Sequence, residues 1–475
     1  MKRSEGVVNL VRQWIDNGAL QPGAKAPSVR QMSRIAGCSM STVHQAYGLL
    51  ESAGVFVALP RSGFYIEENV GRSGKPTLSP AGGPSDVAQE ISISELTLRL
   101  FASWSNSEIQ QYGAIYASSD VFPVEDINRH FRRVLRTCHG SSKGGDTASS
   151  TQGDPALRET LAHRYVEHGV ALSANDIVLT AGGMHALNLC INILTKPGDI
   201  VLIESPTMFP VFAALEHRGL RAIEIPYSPV SGLDPEQFEY LTDRHDVRAC
   251  VLMPTHQYPT GVSTPPDAVR RIVEIAGRKN LPIIENGGYM DLQYGKTPAP
   301  TLKRFDEAGL VLQVGSFSNT LAPGYGIGWL APGRFREKIV QMKFAGNLLS
   351  GGIFQRAVAD YMQNGGFNRH LRNLRGKFLS RMEHGLKLID RHFPAGCRVS
   401  RPTGGFMCWV EGPPQFDSVA ACRDALARGV GLPPGPLFSV REEFRNCMGL
   451  NLSFPWTPDA EARLKVIAEL VREHS

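Results

Sequence analysis

The sequence predicts a multidomain α/β protein: a small helical head closed by a two-stranded hairpin, then a large α/β body that ends in a smaller α+β subdomain. Three observations predict it. The chain has 475 residues, beyond the roughly 300 at which a single core stops growing and chains divide. Its formal charge is only +5, yet residues 1–66 hold seven basic residues (Lys2, Arg3, Arg12, Lys25, Arg30, Arg34, Arg61) against three acids (Glu5, Asp16, Glu51), which leaves +4 there and +1 for everything else. From about residue 91, short β-branched runs alternate with amphipathic helical runs, as in a parallel sheet covered by helices. The expected divisions are a head at 1–67, a linker at 68–90, a large domain at 91–374 and a small subdomain at 375–475.

Composition excludes several classes. The residues are 42% hydrophobic and 20% charged, which argues for a soluble folded chain and against global disorder. No stretch approaches the ~18 to 20 successive apolar residues that span a bilayer, and the charged start lacks the apolar centre of a secretory signal. The cysteines at 38, 138, 190, 250, 397, 408, 422 and 447 form no CxxC pair and no zinc-like spacing. They read as reduced core residues. A cytoplasmic, nucleoid-associated protein is expected, with no metal and no membrane partner.

The head is legible element by element. Val7, Val8, Leu10, Val11, Trp14 and Ile15 recur at helical spacing, and Gln21-Pro22-Gly23 breaks the chain. Ser28 caps a short helix through Ile35, which Gly37 ends. Ser39 caps a second helix, whose apolar face is Val43, Ala46, Tyr47, Leu49 and Leu50. Val55 to Leu59, a turn at Pro60-Arg61-Ser62-Gly63, and Phe64 to Ile66 then make a hairpin. Three helices and a hairpin are a winged helix-turn-helix. The second helix of such a pair enters the major groove with its N-terminal residues at base edges, which here are Ser39, Ser41, Thr42, His44 and Gln45. Their hydroxyls and amide can donate or accept at bases and phosphates. Arg30 and Arg61 can neutralise phosphates or reach a base, with Ser62 and Gly63 beside them in the wing. Plainer readings stand alongside: Ser39 as a cap, Arg61 as a solvated turn residue, His44 as a bystander. Double-stranded operator DNA is the expected partner.

Gln21-Pro22-Gly23, Pro27-Ser28-Val29-Arg30, Ser39-Met40-Ser41-Thr42-Val43, Ala46-Tyr47 and Arg61-Ser62-Gly63-Phe64-Tyr65 resemble the GntR-type winged-helix signature over about residues 5–67. The resemblance implies that Arg30, Ser39, Ser41, Thr42 and Gly63 sit at the operator.

Residues 71–90 are rich in Gly, Ser and Pro and read as a flexible connector; Gly140 to Gly153 reads as a mobile loop. In the body, strands are expected at 177–180, 200–203, 250–253, 282–285 and 311–314, with a helix from His185 through Leu194 and a last one from Pro458 to Arg472. Such sheets bind ligands beyond the carboxyl ends of their strands. Asp154-Pro155-Ala156-Leu157-Arg158, Thr180-Ala181-Gly182-Gly183, Glu204-Ser205-Pro206-Thr207, Pro254 to Gly261, Gly315-Ser316-Phe317-Ser318 and Leu321-Ala322-Pro323-Gly324 resemble a fold-type I aminotransferase domain over about residues 91–475. Fused to a GntR-type head, this resembles the MocR-like transcription regulators. That resemblance implies a homodimer held by the body, and a body that in typical members holds pyridoxal phosphate and senses a small amine, an amino acid or the cofactor.

Four positions depart from the family pattern. The Schiff-base lysine after Gly-Ser-Phe-Ser is Asn319, and Ser316 to Leu330 contain no lysine. The phosphate-gripping arginine is Gly326, the aspartate under the pyridine nitrogen is Asn286, and the arginine that binds a substrate carboxylate is Gly449. An amide forms no imine, and a glycine offers neither charge nor a fork of donors. The expectation is no covalent cofactor and no transaminase. The residues then read as an effector pocket of Gly182, Gly183, Met208, Tyr258, Asn286, Tyr289, Ser316, Ser318, Asn319 and Tyr325, and the lost charges favour a neutral or aromatic effector over an amino acid. Four alternatives remain at this point: ordinary packing of these side chains, a noncovalent phosphate cradle of Gly182-Gly183, Ser316, Ser318 and Thr320, a residual enzyme, and a scaffold that recruits another protein.

Overall fold

The computed structural model describes residues 3–16, 20–21, 23–52, 55–59, 63–66, 78, 87–91, 102–103, 106, 108–137, 151–295, 297–298, 300–347 and 351–475. The chain divides into two compact units, Met1–Thr77 and Leu78–Ser475.

The first unit holds α1 (Arg3–Asp16), α2 (Val29–Ile35), α3 (Met40–Ser52), β1 (Phe56–Leu59) and β2 (Gly63–Ile66). A reciprocal cap starts α2: the Ser28 hydroxyl accepts the Gln31 N–H at 3.3 Å, and Gln31 Oε1 accepts the Ser28 N–H at 2.9 Å. Val7, Val11, Met32, Val43, Ala46, Tyr47, Leu50, Phe56 and Ile66 close the core between the helices and the hairpin. The strands pair antiparallel from Phe56↔Ile66 to Leu59↔Gly63. Residues 24–26 run beside β2, with Ile66 N–H donating to Ala24 O at 2.8 Å and Ala26 N–H to Phe64 O at 2.9 Å. The turn at 60–62, most of the connector at 71–90, and residues 140–150 lie outside the described residues.

Among the described residues, the second unit is built on one nine-stranded sheet. Its strands are β3 (Gln89–Glu90), β5 (Val178–Thr180), β6 (Ile200–Ser205), β7 (Arg221–Ser228), β8 (Gly232–Leu233), β9 (Val247–Leu252), β10 (Ile283–Asn286), β11 (Val311–Ser316) and β12 (Gly328–Ala331). They lie in the order β3-β7-β6-β9-β10-β11-β12-β5, with β8 beside β7. β7, β6, β9, β10 and β11 are parallel, and β12 is antiparallel to both its neighbours. Alternate residues feed two separate cores. Val201, Ile203, Val251, Ile284, Leu312 and Val314 enter one; Leu202, Cys250, Leu252, Ile283 and Val311 enter the other. The two-residue period of a strand thus explains why these runs are apolar on both faces.

The helices of this unit are α4 (Val124–Thr137), α5 (Pro155–Glu167), α6 (Gly183–Leu194), α7 (Pro210–His217), α8 (Pro235–Arg244), α9 (Pro266–Arg278), α10 (Arg336–Gly346), α11 (Gly352–Gln363), α12 (Gly366–His392), α13 (Ser418–Ala427) and α14 (Pro458–Glu473). A smaller α+β part sets α13 and α14 against the antiparallel strands β13 (Arg398–Val399), β14 (Met407–Glu411) and β16 (Cys447–Asn451). The expected division at residue 375 falls inside α12. Phe367, Leu371, Leu374 and Phe378 pack into the large core, and Met382, Leu388 and Ile389 into the small one. One helix thereby joins both parts. Ahead of α4, β4 (Gln110–Gln111) pairs with β15 (Val430–Gly431), and Ile115 and Tyr116, just after β4, line the cavity described below.

Candidate functional site

In the head, α3 is divided by its own period. Val43, Ala46, Tyr47 and Leu50 are fully buried, while Ser41, His44 and Gln45 are exposed and Thr42 is half-buried. Tyr47 fixes the rotation. Its ring lies edge-on to Phe56 at 4.9 Å and to Phe64 at 5.1 Å, and its hydroxyl donates to Pro27 O at 2.7 Å. Burial pushes that phenol up to about 12, so it stays a donor. At the helix start, Ser39 Oγ accepts the Thr42 N–H at 3.2 Å and lies 2.8 Å from Ser41 Oγ and 2.9 Å from Thr42 Oγ1. The cap and the exposed hydroxyl cluster are therefore the same atoms. Arg30 is exposed on α2, and Gly63 is exposed at the start of β2; Arg61 and Ser62 lie outside the described residues. A residue missed from the sequence is Lys25, whose ammonium lies over the Tyr65 ring at 5.6 Å, beside the wing. Its only trace in the sequence was its place in the charge count.

In the body, a cavity of about 110 Å³ opens beyond the carboxyl ends of β9, β10 and β11, at the N-terminus of α6. It brings together Gly183, Met208, Tyr258, Asn286, Tyr289, Ser316, Ser318 and Asn319. Two other candidates fall outside its wall. Gly182 is the residue before α6, at φ +91°, a conformation that only glycine adopts without strain. Tyr325 stacks on Phe131 at 6.1 Å. Apolar residues that the motifs did not indicate complete the wall, including Ile115, Met184, Leu187, Val211 and Met253. Position relative to strand ends was the available signal for Met253; Ile115 comes from far away in the chain and had none.

Among the described residues that line it, none is charged. The set therefore lacks what the fold's usual cofactor, pyridoxal phosphate, takes from such a site: an amine for its aldehyde and a cation for its phosphate. Asn319 spends both ends of its amide on the backbone, accepting the Ala117 N–H at 3.1 Å and donating to Ile115 O at 3.4 Å. Asn286 Oδ1 accepts the Gly288 N–H at 3.0 Å. Gly326 is exposed and sits at φ +57°. Gly449 is crowded: a Cβ there would lie 3.0 Å from Phe438 Cζ and 3.2 Å from Pro259 Cβ. The buried Lys343 is not on the wall, and gives its Nζ to Thr151 O. Ser316 and Ser318 bond to each other at 2.9 Å, and Thr320 does not line the cavity. Burial raises the phenols of Tyr258 and Tyr289, so both are protonated donors.

Among the described residues, no group of three His, Cys, Asp or Glu is placed to hold a metal ion, and no helix is long and apolar enough to cross a membrane.

A winged helix joined to a fold-type I aminotransferase body defines a class of DNA-binding transcription regulators, and the comparisons place the chain within it. Residues 3–66 match the model of the bacterial regulatory proteins of the gntR family, and residues 116–453 that of aminotransferase class I and II. The chain is 29% identical to the uncharacterized HTH-type transcriptional regulator YdcR of Escherichia coli strain K12, over 100% of both chains, and 30% identical to YjiR of the same strain, over 99% of both. The kynurenine aminotransferase of Pyrococcus horikoshii superposes with a TM-score of 0.73 at 27% identity, over 81% of this chain and 95% of that one. The chain belongs to the MocR-like regulators, a GntR-type head fused to a body of the class I and II aminotransferase family.

Proposed function

We propose that this protein is a dimeric, sequence-specific regulator of transcription in the cytoplasm, whose body has exchanged transamination for the binding of an uncharged effector. Two heads bind two half-sites of a double-stranded operator, with Ser41, Thr42, His44 and Gln45 at base edges and Arg30 on the phosphates. Arg61, Ser62 and Gly63 belong to the wing contact. The bodies hold the two chains together, and an effector acts by preferring one arrangement of the dimer over another. The body forms no imine with pyridoxal phosphate and catalyses no amino transfer.

One observation carries this: the cavity lies where the fold family does its chemistry, yet its described wall holds no charge. A buried carboxylate or phosphate without a partner is strongly disfavoured, and the described wall offers no cationic side chain to amino acids or to the phosphorylated cofactor. The test combines two measurements on the purified full chain. Footprinting on DNA upstream of its own gene, with a genomic pull-down at moderate salt, is expected to give a protected two-fold site. Added pyridoxal phosphate is expected to give no borohydride-reducible adduct at Asn319 or elsewhere on the wall. Absence of any protected DNA overturns the regulator reading; a reducible adduct in the cavity overturns the reading of the body.

A further inference from the structure

The outer face of the wing carries a cation that the proposed operator contacts do not use. Residues 24–26 add an edge strand to the hairpin. Gly23 N–H donates to Ile66 O at 3.0 Å, Ile66 N–H to Ala24 O at 2.8 Å and Ala26 N–H to Phe64 O at 2.9 Å, and Lys25 stands directly opposite Tyr65 in this antiparallel pairing. The two-residue period of a strand then sorts the side chains. Ala26 and Ile66 are buried, and Ala24 and Phe64 pack against the head's core. Lys25 and Gly63 are exposed, and Tyr65 is half-buried. One face of the sheet closes the core; the other presents Lys25, Tyr65 and Gly63 together.

Lys25 runs along that outer face to the base of the wing's turn. Its ammonium lies over the Tyr65 ring at 5.6 Å, and its Cε is 3.6 Å from where a Cβ on Gly63 would stand. Gly63 is the first residue after the turn at 60–62. Among the described residues Lys25 has no carboxylate partner, whereas surface cations of the body such as Arg428 and Arg463 pair with Glu473 at 2.6 Å and Asp459 at 2.9 Å. A lysine stacked on a ring keeps its full charge and its N–H donors for another group. The ring also restricts a stem that would otherwise lose rotamer freedom on binding. An ammonium is a point charge without the planar fork of an arginine, which suits a phosphate oxygen better than a bidentate base edge.

We propose that Lys25 is a phosphate contact of the wing and that Tyr65 is its positioning residue. The inference rests on the reading of the head as an operator-binding domain. In each bound head the Lys25 ammonium neutralises one backbone phosphate beside the wing contact, with the Tyr65 ring as its platform. The contact holds the wing on the duplex and carries no sequence information of its own.

The experiment is fluorescence anisotropy of the full-length protein over a salt series, with the footprinted operator and a scrambled duplex. Lys25→Ala is expected to weaken binding to both duplexes by the same factor, and to reduce the slope of log affinity against log salt by about 1 for each bound head. Lys25→Arg keeps the charge and the stacking and is expected to keep the slope. Tyr65→Leu removes the aromatic face and is expected to weaken binding about two- to fivefold, and to have no effect when Lys25 is already alanine. Ethylation interference on the operator is expected to show one phosphate per half-site whose modification hinders the wild type and not Lys25→Ala. An unchanged salt slope in Lys25→Ala, a loss confined to the operator duplex, or the same interference pattern in both proteins overturns the phosphate contact. Equal losses from Tyr65→Leu with and without Lys25 overturn the positioning role. Lys25 faces away from the core, so its variants carry the test even if Tyr65→Leu does not fold. Absence of any protected DNA brings down the regulator reading and this contact with it; operator binding retained with an unchanged slope in Lys25→Ala brings down the contact alone.

Discussion

Asn319 accepts the backbone N–H of Ala117 through Oδ1 at 3.1 Å, across about two hundred residues of sequence. Together with the bond from its Nδ2 to Ile115 O, this makes the side chain at the cofactor-lysine position a strut that holds the 115–117 segment against the cavity. Asn451 secures the same segment as well, donating to Ala114 O at 2.8 Å and Tyr116 O at 2.9 Å, and Ser453 Oγ accepts the Ser118 N–H at 2.8 Å. Restoring a lysine is therefore expected not to restore transamination. Asn319→Lys removes the acceptor for Ala117 and is expected to lower stability by about 1 to 2 kcal/mol, with no transaminase activity. Denaturant unfolding and a coupled amino-transfer assay check both halves, and a gain of turnover by this single change would refute the account.

At Gly449, where the family resemblance leads one to expect a substrate-binding arginine, the surroundings leave no room for one. Gly449 faces Trp409 across the β14–β16 pair, and Phe438 packs on Trp409 edge-to-face at 5.3 Å, leaving no room for a longer side chain. Gly449→Arg overpacks this cluster and is expected to cost about 1 to 3 kcal/mol. Phe438→Ala alone leaves a cavity and is expected to cost about 3 to 5 kcal/mol. The double variant should be less destabilised than the sum of the two. Unfolding measurements on all three proteins test this coupling; strict additivity would show that Phe438 is not what excludes the arginine.

Which of these features could be read in the sequence follows from range. Caps, turns and the face of α3 depend on residues within four positions of one another, so Ser28, Ser39 and Val43 to Leu50 were legible. The strand runs were legible because burial on both faces makes them continuously apolar. Asn319, Gly326, Asn286 and Gly449 stood out as departures from a known pattern. What each departure became was not legible. The filling of the Gly449 space by Phe438 and the use of Asn319 by Ile115 and Ala117 are both long-range contacts. Tyr325 is near the Asn319 loop in sequence, but its ring turns toward Phe131. The passage of α12 between two cores was hidden for a different reason: its apolar period runs on unbroken while the partner changes.

Two buried carboxyls of the large sheet, Glu204 on β6 and Glu285 on β10, should tilt the pH dependence of stability. Burial raises Glu204 from 4.5 to about 8, against the opposing donation of the Met253 N–H and Gln257 Nε2, and raises Glu285 to about 7. Each binds its proton more tightly folded than unfolded. Their contribution is therefore full below the unfolded carboxyl range, and is lost as pH rises through about 7 to 8. Stability should fall across this window, and Glu204→Gln should flatten the fall. Denaturant unfolding at about pH 5 and about pH 8 provides the comparison; parallel losses in wild type and variant would mean that Glu204 does not titrate there.

The head offers a test that separates a phosphate contact from base readout. Arg30 is exposed on α2, away from the helix whose Ser41, His44 and Gln45 present at the opposite side from Tyr47. If Arg30 neutralises one phosphate, Arg30→Ala should weaken binding to all DNA about equally and reduce the slope of log affinity against log salt by about 1. Gln45→Ala should instead leave the slope unchanged and relax preference at one base pair, by about 1 to 3 kcal/mol of discrimination. Both side chains project from the packed core, so the far-ultraviolet circular dichroism of either variant should match the wild type. Fluorescence anisotropy with operator and scrambled duplexes over a salt series decides between them. A salt slope unaltered in Arg30→Ala would remove Arg30 from the phosphate contacts and leave Lys25, beside the wing, as the next cation to test.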